Sequence, residues 1–447
     1  MTDVATGEAT ELLQQLIRNT CVNDGTPDSG NEDRQVATLG SYLDLPGAEV
    51  QSFAKRDGRG NLVLRIEGTD KKAPTLLLMG HTDVVPANAS GWQRDPFGGE
   101  LVDGEIWGRG AVDMLNLTTT MAVAAKQLVR EGFRPRGTLV YLAVADEENQ
   151  GIYGAEFMTE KHWDAVGADH VISENGGVRS DLPTTTAGLK LNLTIAEKGT
   201  QWVNLRVKGV PGHGSAPYAA DNAVVKAAQI VARVAAYAPP VRLHEIWRRY
   251  VAAMAFPPDL DRSLTDGERI DSVLPSLPGG VAKLVHASTR NTFSPNVLRG
   301  GTKTNVIADE ALVEIDIRTL PDESRDDVRA LLQDAIGDLW SHVELVSESD
   351  NVSTASSFDT PLKDVLDRVT RSLLPEAVLV PAMTVGATDN RFFRRKGAVA
   401  YGYGLMSPEL PMSQFRSMFH GRDERVHVES LRLSTELWVR TAREFLA

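Results

Sequence analysis

The segment PTLLLMGHTD (residues 74–83) joins a run of apolar residues to a histidine, a threonine and an aspartate. A short apolar run that stops at polar residues is typical of a strand buried on both faces, as in a parallel sheet. GTLVYLAVA (137–145) and DHVIS (169–173) have the same character. Between the first two runs, MLNLTTTMAVAAKQLVREG (114–132) has the apolar spacing of a crossover helix, which completes a βαβ unit. We predict an α/β fold with a mostly parallel sheet and helices on both faces.

The pattern changes near residue 197. QWVNLRVKG (201–209) and VEIDIR (313–318) alternate apolar and polar residues, which is typical of antiparallel strands with one face in water. NAVVKAAQIVARVAAYA (222–238) has the apolar stripe of a helix that covers the other face. These segments predict a second, α+β domain. Its stretch 239–300, which is interrupted by Pro and Gly, receives no fold prediction.

A helical pattern resumes at TPLKDVLDRVTRSLL (360–374), and further apolar runs follow it. We interpret this as a return to the first domain. The predicted organisation is an α/β domain in two parts, 1–196 and 353–447, with the α+β domain inserted at 197–352.

Composition and charge exclude several classes of protein. The net charge of -13 argues against nucleic acids and anionic membranes as partners. The single cysteine, Cys21, cannot form an intrachain disulfide. The N-terminus lacks the basic and apolar regions of a signal peptide, and no apolar stretch approaches the ~20 residues that span a bilayer. We expect a cytoplasmic protein.

Polar side chains that can bind metal follow the predicted parallel strands or precede the crossover helix. Ligands of parallel α/β sheets bind at the carboxyl ends of the strands, so these side chains should gather at one edge. A cluster of imidazoles and carboxylates needs a counter-charge, which a divalent cation supplies. Mixed histidine and carboxylate ligands suit Zn²⁺, and also Mn²⁺ or Co²⁺. The side chains concerned are His81, Asp83, Asp113, Glu147, Glu148 and Glu174.

A series of motifs resembles the di-zinc amidohydrolases, a family that includes aminoacylase, carboxypeptidase G and succinyl-diaminopimelate desuccinylase. The resemblance implies a zinc-exopeptidase-like sheet, and it likens the inserted domain to the lid or dimerisation domain of that family, which would allow a homodimer. The motifs are GHTDVVP (80–86), GRGAVDM (108–114), DEEN (146–149), SENGG (173–177) and HGRDE (420–424).

The resemblance implies two divalent metal ions per chain, zinc with cobalt or manganese as alternatives. His81 and Glu174 would ligate the first ion, Glu148 and His420 the second, and Asp113 both. The peptide bond after the bridging aspartate is typically cis in this family, which predicts a cis bond between Asp113 and the methionine that follows.

Further roles are implied by the same resemblance. Glu147 would be the general base, and Asp83 would hold the ring of His81. In the segments GVPGHGSAP (209–217) and GTKTNVIADEALVEIDIR (301–318), three residues match positions that contact the substrate. His213 would polarise the substrate carbonyl, in dimeric members from the partner chain, and Asn305 and Arg318 would bind the substrate, with the arginine on its carboxylate.

Structural interpretations compete with these roles. His81 could be a satisfied histidine at a strand end, Asp113 a helix N-cap, and the adjacent Glu147 and Glu148 a solvated loop pair. His427 is an alternative to His420 as the last ligand. Leu115 stands where many members of the family have lysine, which leaves the subfamily open.

The predicted function is metal-dependent hydrolysis of the amide bond of N-acyl amino acids or of short peptides with a free carboxylate. A strict dipeptidase or carboxypeptidase is the enzymatic alternative. A non-catalytic binding protein on the same fold is the alternative from another class, although every expected ligand and the base are present in the sequence.

Overall fold

The computed structural model describes residues 2–349 and 351–447 of the chain. Its helices, in chain order, are α1 Thr2–Arg18, α2 Asp33–Leu43, α3 Leu115–Arg130, α4 Ala155–Lys161, α5 Trp163–Val166, α6 Ala223–Ala236, α7 Glu245–Met254, α8 Pro258–Leu264, α9 Ile270–Val273, α10 Gly279–Ser288, α11 Arg325–Ile336, α12 Pro361–Leu373, α13 Asn390–Arg395, α14 Met412–Met418 and α15 Val428–Phe445. Short 3-10 turns lie at Ala89–Gly91, Glu147–Asn149, Leu274–Ser276 and Gly337–His342.

The strands, in the same order, are β1 Glu49–Ala54, β2 Gly60–Ile66, β3 Thr75–His81, β4 Glu100–Val102, β5 Glu105–Trp107, β6 Thr138–Val144, β7 His170–Ser173, β8 Leu189–Glu197, β9 Gly199–Lys208, β10 Gly212–His213, β11 Thr292–Gly300, β12 Val306–Ile307, β13 Glu310–Thr319, β14 Val343–Glu348, β15 Thr354–Ala355, β16 Ala377–Thr384, β17 Val399–Gly402 and β18 Arg425–His427.

Within the described residues, the large sheet has nine strands in the order β1-β2-β6-β3-β7-β17-β8-β15, and β16 pairs with β8. The central strands β6, β3, β7 and β17 are mutually parallel, as are β8 and β16. Antiparallel pairs join β1, β2 and β6 on one side, and join β8 to β17 and β15 on the other. The predicted α/β fold with a mostly parallel central sheet is confirmed.

Helices cover both faces of this sheet, which explains the unbroken apolar runs. Leu76 and Leu78 of β3 pack in the core on the side of α1, α3, α12 and α15. The alternate residues, Leu77 and Met79, pack in a second core with side chains of α4, α5 and α13. Since burying one such side chain stabilises a fold by about 1.5–3 kcal/mol, both faces of the strand must be apolar.

A smaller antiparallel sheet, β11-β13-β9-β14, lies beside the first. Val203, Leu205 and Val207 of β9 are buried against α6 and α11, whereas Trp202 on the opposite face is 42% exposed. The predicted alternation is therefore confirmed. A single residue, Lys198, separates β8 of the large sheet from β9 of the small one. The domain boundaries at 197 and 352 stay a prediction.

The stretch 239–300 folds as helices α7 to α10, followed by β11. Trp247, Val251 and Phe256 form an apolar cluster with Val380 of β16. This cluster fixes the helices to the large sheet. None of the helices in the described residues has the length and apolar character that crossing a bilayer requires.

Candidate active site

Asp113 lies between two histidines. Its Oδ1 is 3.2 Å from Nε2 of His81, and its Oδ2 is 3.0 Å from Nε2 of His420. Nε2 of His420 is also 3.1 Å from Oε2 of Glu148. Among the described residues, two groups have donor atoms within 4.8 Å of one another: His81, Asp113 and Glu174, and Asp113, Glu148 and His420. The structure thus brings together the predicted metal ligands, with Asp113 common to both groups.

The large sheet positions these side chains at one edge. His81 is the last residue of β3, and Glu174 follows β7. Glu147 and Glu148 lie in the 3-10 turn after β6. Because β3, β6 and β7 are parallel, their carboxyl ends deliver these side chains to the same place. The Asp113–Met114 peptide bond, just before α3, is cis, as predicted.

The electrostatics of the site are those of crowded, buried acids. Burial, with repulsion from neighbouring acids, raises the pKa of Glu147 to about 8, of Glu148 to about 7, and that of Glu174 well above its ordinary value. Burial also acts to raise the pKa of Asp113, but hydrogen bonds from the histidines outweigh it and hold that pKa well below its usual range. Hydrogen bonds to Asp113 and Glu148 raise the pKa of His420 to about 10.

The donor set fits a pair of divalent cations. Histidine nitrogens and carboxylate oxygens together are ligands that zinc and related transition metals accept. Oε1 of Glu148 is buried and has no hydrogen-bond partner among the described residues. A buried carboxylate oxygen without a partner is costly, and a cation in this position would satisfy it.

Asp83 supports the site in two ways, of which the sequence indicated one. Nδ1 of His81 donates to the backbone carbonyl of Asp83 at 2.9 Å, while the carboxylate oxygen of Asp83 is 3.6 Å from the same nitrogen. The carboxylate instead accepts the backbone N–H groups of Glu147 at 3.2 Å and Glu148 at 3.1 Å, and the amide of Asn23 at 2.8 Å. Asp83 therefore fixes both His81 and the 3-10 turn that carries Glu147 and Glu148, which we call the acidic turn.

Buried ion pairs that the sequence analysis missed hold the surrounding backbone. Glu424 accepts the backbone N–H of Asp113 at 3.1 Å and pairs with Arg109 at 2.7 Å. Arg59, which is 1% exposed, pairs with Asp146 at 2.8 Å beneath the acidic turn. Glu424 belongs to the motif HGRDE and could have been suspected. Nothing in the sequence around Arg59 indicates its role.

A cavity of about 960 Å³ opens onto Glu147 and onto ligands of both groups. Arg318 also lines this cavity. Its guanidinium is engaged within the chain, since it donates to both carboxylate oxygens of Asp316, at 2.8 and 3.2 Å, and to the hydroxyl of Thr200 at 3.0 Å.

His213 and Asn305 lie together but apart from the metal-ligand groups. His213 is exposed on β10, which pairs with β12, and the carbonyl of Asn305 accepts the N–H of Gly214 at 2.8 Å. Neither is among the described residues that line the cavity. His427, the alternative ligand, accepts the N–H of Glu429 at 3.1 Å as the N-cap of α15 and belongs to neither metal-ligand group of the described chain.

The chain is similar in sequence and in fold to known proteins. The sequence model of the peptidase family M20/M25/M40 matches residues 77–444. The N-fatty-acyl-amino acid synthase/hydrolase PM20D1 of Xenopus tropicalis is 23% identical over 98% of this chain and 86% of its own length. The succinyl-diaminopimelate desuccinylase of Methylocella silvestris is 32% identical over 53% of this chain and 58% of its own. An M20 family metallo-carboxypeptidase from Sulfolobus solfataricus, 18% identical, shares the fold with a TM-score of 0.74 over 98% of this chain and 99% of that one.

Proposed function

The chain belongs to the peptidase family M20/M25/M40, a family of metal-dependent hydrolases, and from this premise we propose that it hydrolyses the amide bond of N-acyl amino acids or of short peptides with a free carboxylate. The observation that carries the proposal is Asp113, shared between two groups of metal-binding side chains on the wall of a large cavity, with Glu147 on the same wall. The names of two relatives, an N-fatty-acyl-amino acid synthase/hydrolase and a desuccinylase, support an N-acyl substrate.

The metal-ligand groups would divide two ions between them. His81 and Glu174 would hold one, Glu148 and His420 the other, and Asp113 both. We propose zinc, with cobalt or manganese as alternatives that the same donor atoms accept. Bound ions would make a water more acidic and offset negative charge on the substrate carbonyl.

Glu147 is the proposed general base. It lies in the cavity wall beside the ligands, where a carboxylate can take a proton from water and return it to the leaving amine. The hydrogen bond from its backbone N–H to Asp83 fixes the turn that carries it.

Arg318 is the proposed anchor for the substrate carboxylate, because a guanidinium binds a carboxylate through two parallel hydrogen bonds. In the single chain the guanidinium already binds one carboxylate, that of Asp316, through two hydrogen bonds. His213 and Asn305 would complete the site by polarising the carbonyl and contacting the substrate. From their position in the single chain, this requires a second copy of the protein or a shift of the β10–β12 ribbon.

The test of this proposal contrasts two adjacent glutamates. Glu147→Gln should retain both metals and lower kcat by about 10²–10⁴-fold, because it removes proton transfer alone. Glu148→Gln should release metal from one group, because it removes a ligand. Metal content by mass spectrometry and hydrolysis of a panel of N-acyl amino acids and dipeptides, with Zn²⁺, Co²⁺ or Mn²⁺ supplied, measure these effects.

Glu160→Gln, an exposed glutamate on α4, is the matched control and should change neither quantity. The same panel separates an acyl-amino-acid hydrolase from a strict dipeptidase or carboxypeptidase. If wild type and Glu147→Gln hydrolyse every substrate equally slowly, the protein is a binding protein and the proposal is wrong.

A further inference from the structure

One part of the cavity wall, away from the metal-ligand groups, is mostly apolar. This part of the wall, which we call the helical wall, comes from α7 and α10, in the stretch for which the sequence pattern predicted no fold. The ring of Trp247, which is 4% exposed, stacks behind the partly exposed ring of Tyr250 with the centroids 5.5 Å apart and holds it in place. The side chains of the helical wall are Ile246, Trp247, Tyr250, Met254, Val281 and Leu284.

Few charges interrupt this surface. Lys190 lines the cavity, but its ammonium group donates to the backbone carbonyl of Ala253 at 3.0 Å. Lys283 and Arg416 reach the cavity on long aliphatic stems, which add apolar surface of their own. Neither α7 nor α10 contributes an acidic side chain to the lining. Asp181 also lines the cavity, but it lies close to Arg416, whose charge offsets its own. The helical wall itself therefore carries no acidic group that would oppose burial of an apolar chain.

The helical wall and the metal-ligand groups line one continuous cavity. The same space of about 960 Å³ contacts Glu147 and His420 at one place and Val281 and Leu284 at another. Pockets of this size bury most of the surface of a large ligand, and apolar linings favour apolar groups. An acetyl group bound near Glu147 would leave the partly exposed side chains of the helical wall in contact with water.

We propose that the helical wall binds the acyl group of the substrate and that the preferred substrates carry a long apolar acyl chain on the nitrogen of the amino acid. This inference rests on the proposed amide hydrolysis and specifies its substrate class. Transfer of each methylene from water to the helical wall should raise kcat/KM, up to the length at which the chain fills the cavity. The expected increase is up to about fourfold per methylene, equivalent to ~0.8 kcal/mol.

The test uses a series of N-acyl derivatives of one amino acid, with acetyl, butyryl, octanoyl and dodecanoyl groups, and metal-loaded protein. In the wild type, kcat/KM for the dodecanoyl substrate should exceed that for the acetyl substrate by at least about 10²-fold. This is a lower limit, because burial of every added methylene would give a larger ratio. Leu284→Gln and Val281→Asn should reduce this ratio by about tenfold each, since a polar group in the wall opposes burial of the chain. Leu298→Gln, which makes the same change at a residue 44% exposed on β11, should leave the ratio unchanged.

A ratio near one in the wild type, with acetyl and butyryl substrates hydrolysed well, would overturn this inference and leave the proposed function standing. Faster hydrolysis of a substrate whose acyl chain ends in a carboxylate than of one whose chain ends in a methyl group would also overturn it. Arg416 or Lys283 would then determine the preference for the acyl group. If no substrate is hydrolysed, the proposed function is wrong, and calorimetry decides the inference separately. Dodecanoate should then bind the wild type more tightly than Leu284→Gln, and equal affinities would refute the helical wall as an acyl site.

Discussion

At the scale of single residues, Asp83 connects His81 at the end of β3 to the acidic turn after β6. Its backbone carbonyl orients His81, and its carboxylate accepts the N–H groups of the turn that carries Glu147 and Glu148. The two carboxylate oxygens are both used as acceptors, one by each N–H group. A side chain at this position must therefore offer two acceptors and no donor, which an aspartate does and an asparagine does not.

We predict that Asp83→Asn lowers kcat/KM or metal affinity by about 10- to 100-fold, the usual effect of losing a partner that orients metal ligands. The amide nitrogen of asparagine would face a backbone N–H, so the acidic turn would lose one of its anchors. Steady-state kinetics and metal titration measure the effect. Asp164→Asn, on the exposed surface of α5, is the matched control. Full activity with unchanged metal affinity in Asp83→Asn would contradict the role given to this carboxylate.

At the scale of elements, the junction of β8 and β9 depends on a buried lysine. Lys198 is 1% exposed, and its side-chain nitrogen donates to the carbonyls of Ala287 at 2.9 Å and Arg290 at 2.8 Å. Burial, with the positive charges of Arg318 and Arg290 nearby, lowers the pKa of Lys198 to about 7. The lysine thus links the carboxyl end of α10 to the junction of β8 and β9. Its burial destabilises the fold when its side chain is charged.

This arrangement predicts a dependence of stability on pH. An unfolded lysine has a pKa of about 10.4, so between about pH 7 and that value the unfolded chain binds a proton that the folded chain has released. The contribution of Lys198 to the free energy of unfolding should therefore rise with pH across this window, by at most about 1.4 kcal/mol per pH unit.

Urea unfolding of wild type and Lys198→Met near pH 7 and near pH 9 measures the effect. The variant loses the hydrogen bonds at any pH. The stability gap, which is the free energy of unfolding of the wild type minus that of the variant, should increase as pH rises. Lys161→Met, at an exposed lysine of α4, should show a gap that does not change. A constant or narrowing gap for Lys198→Met would show that the lysine keeps its proton in the folded chain.

Elements with a regular pattern could be predicted from the sequence, and those without one could not. The apolar run of β3 reflects burial on both faces, and the alternation of β9 reflects burial on one. The helices α7 to α10 are short and separated by turns that contain proline and glycine, so no long periodic signal marks them. Their position is set by contacts of Trp247 and Val251 with Val380, which lies over a hundred residues away in the chain.

The same distinction applies to the candidate site. The gathering of His81, Asp113, Glu148 and Glu174 could be predicted because each follows a recognisable strand or precedes the crossover helix. The position of His420 could be predicted because its motif resembles a known family. The ion pair of Arg59 with Asp146 could not, and the pair of Glu424 with Arg109 could be suspected only from Glu424, since the partners are far apart in sequence and meet only through the fold. The cavity likewise arises from the packing of segments that no single motif contains.

At the scale of the whole molecule, His213 poses a question of assembly. It is exposed on the β10–β12 ribbon and does not line the cavity in the described part of its own chain. If His213 completes the site of a second copy, one chain can supply the histidine that another lacks. The proposed homodimer through the inserted domain would then be required for activity.

We predict that His213→Ala and Glu147→Gln are each weakly active alone and that the two variants co-expressed recover a substantial part of the wild-type activity. A mixed dimer would contain one site with an intact Glu147 and an intact His213, contributed by different chains. Activity assays of the co-purified pair, together with molecular mass in solution, measure the recovery. Glu147→Gln co-expressed with Glu148→Gln is the control, because no site in a mixed dimer of these variants has both glutamates intact. Failure of the first pair to recover activity would place His213 in its own chain's site.

The separation of the helical wall from the metal-ligand groups has an evolutionary consequence. The proposed ligands lie at the ends of sheet strands, just before α3 and in the HGRDE motif, whereas the wall comes from the stretch between Ile246 and Leu284. Mutations that accumulate in this one stretch can change which molecules the protein accepts while the reaction chemistry is inherited intact. Mutations in this single segment can therefore alter substrate preference, and laboratory libraries of variants can be confined to the same segment.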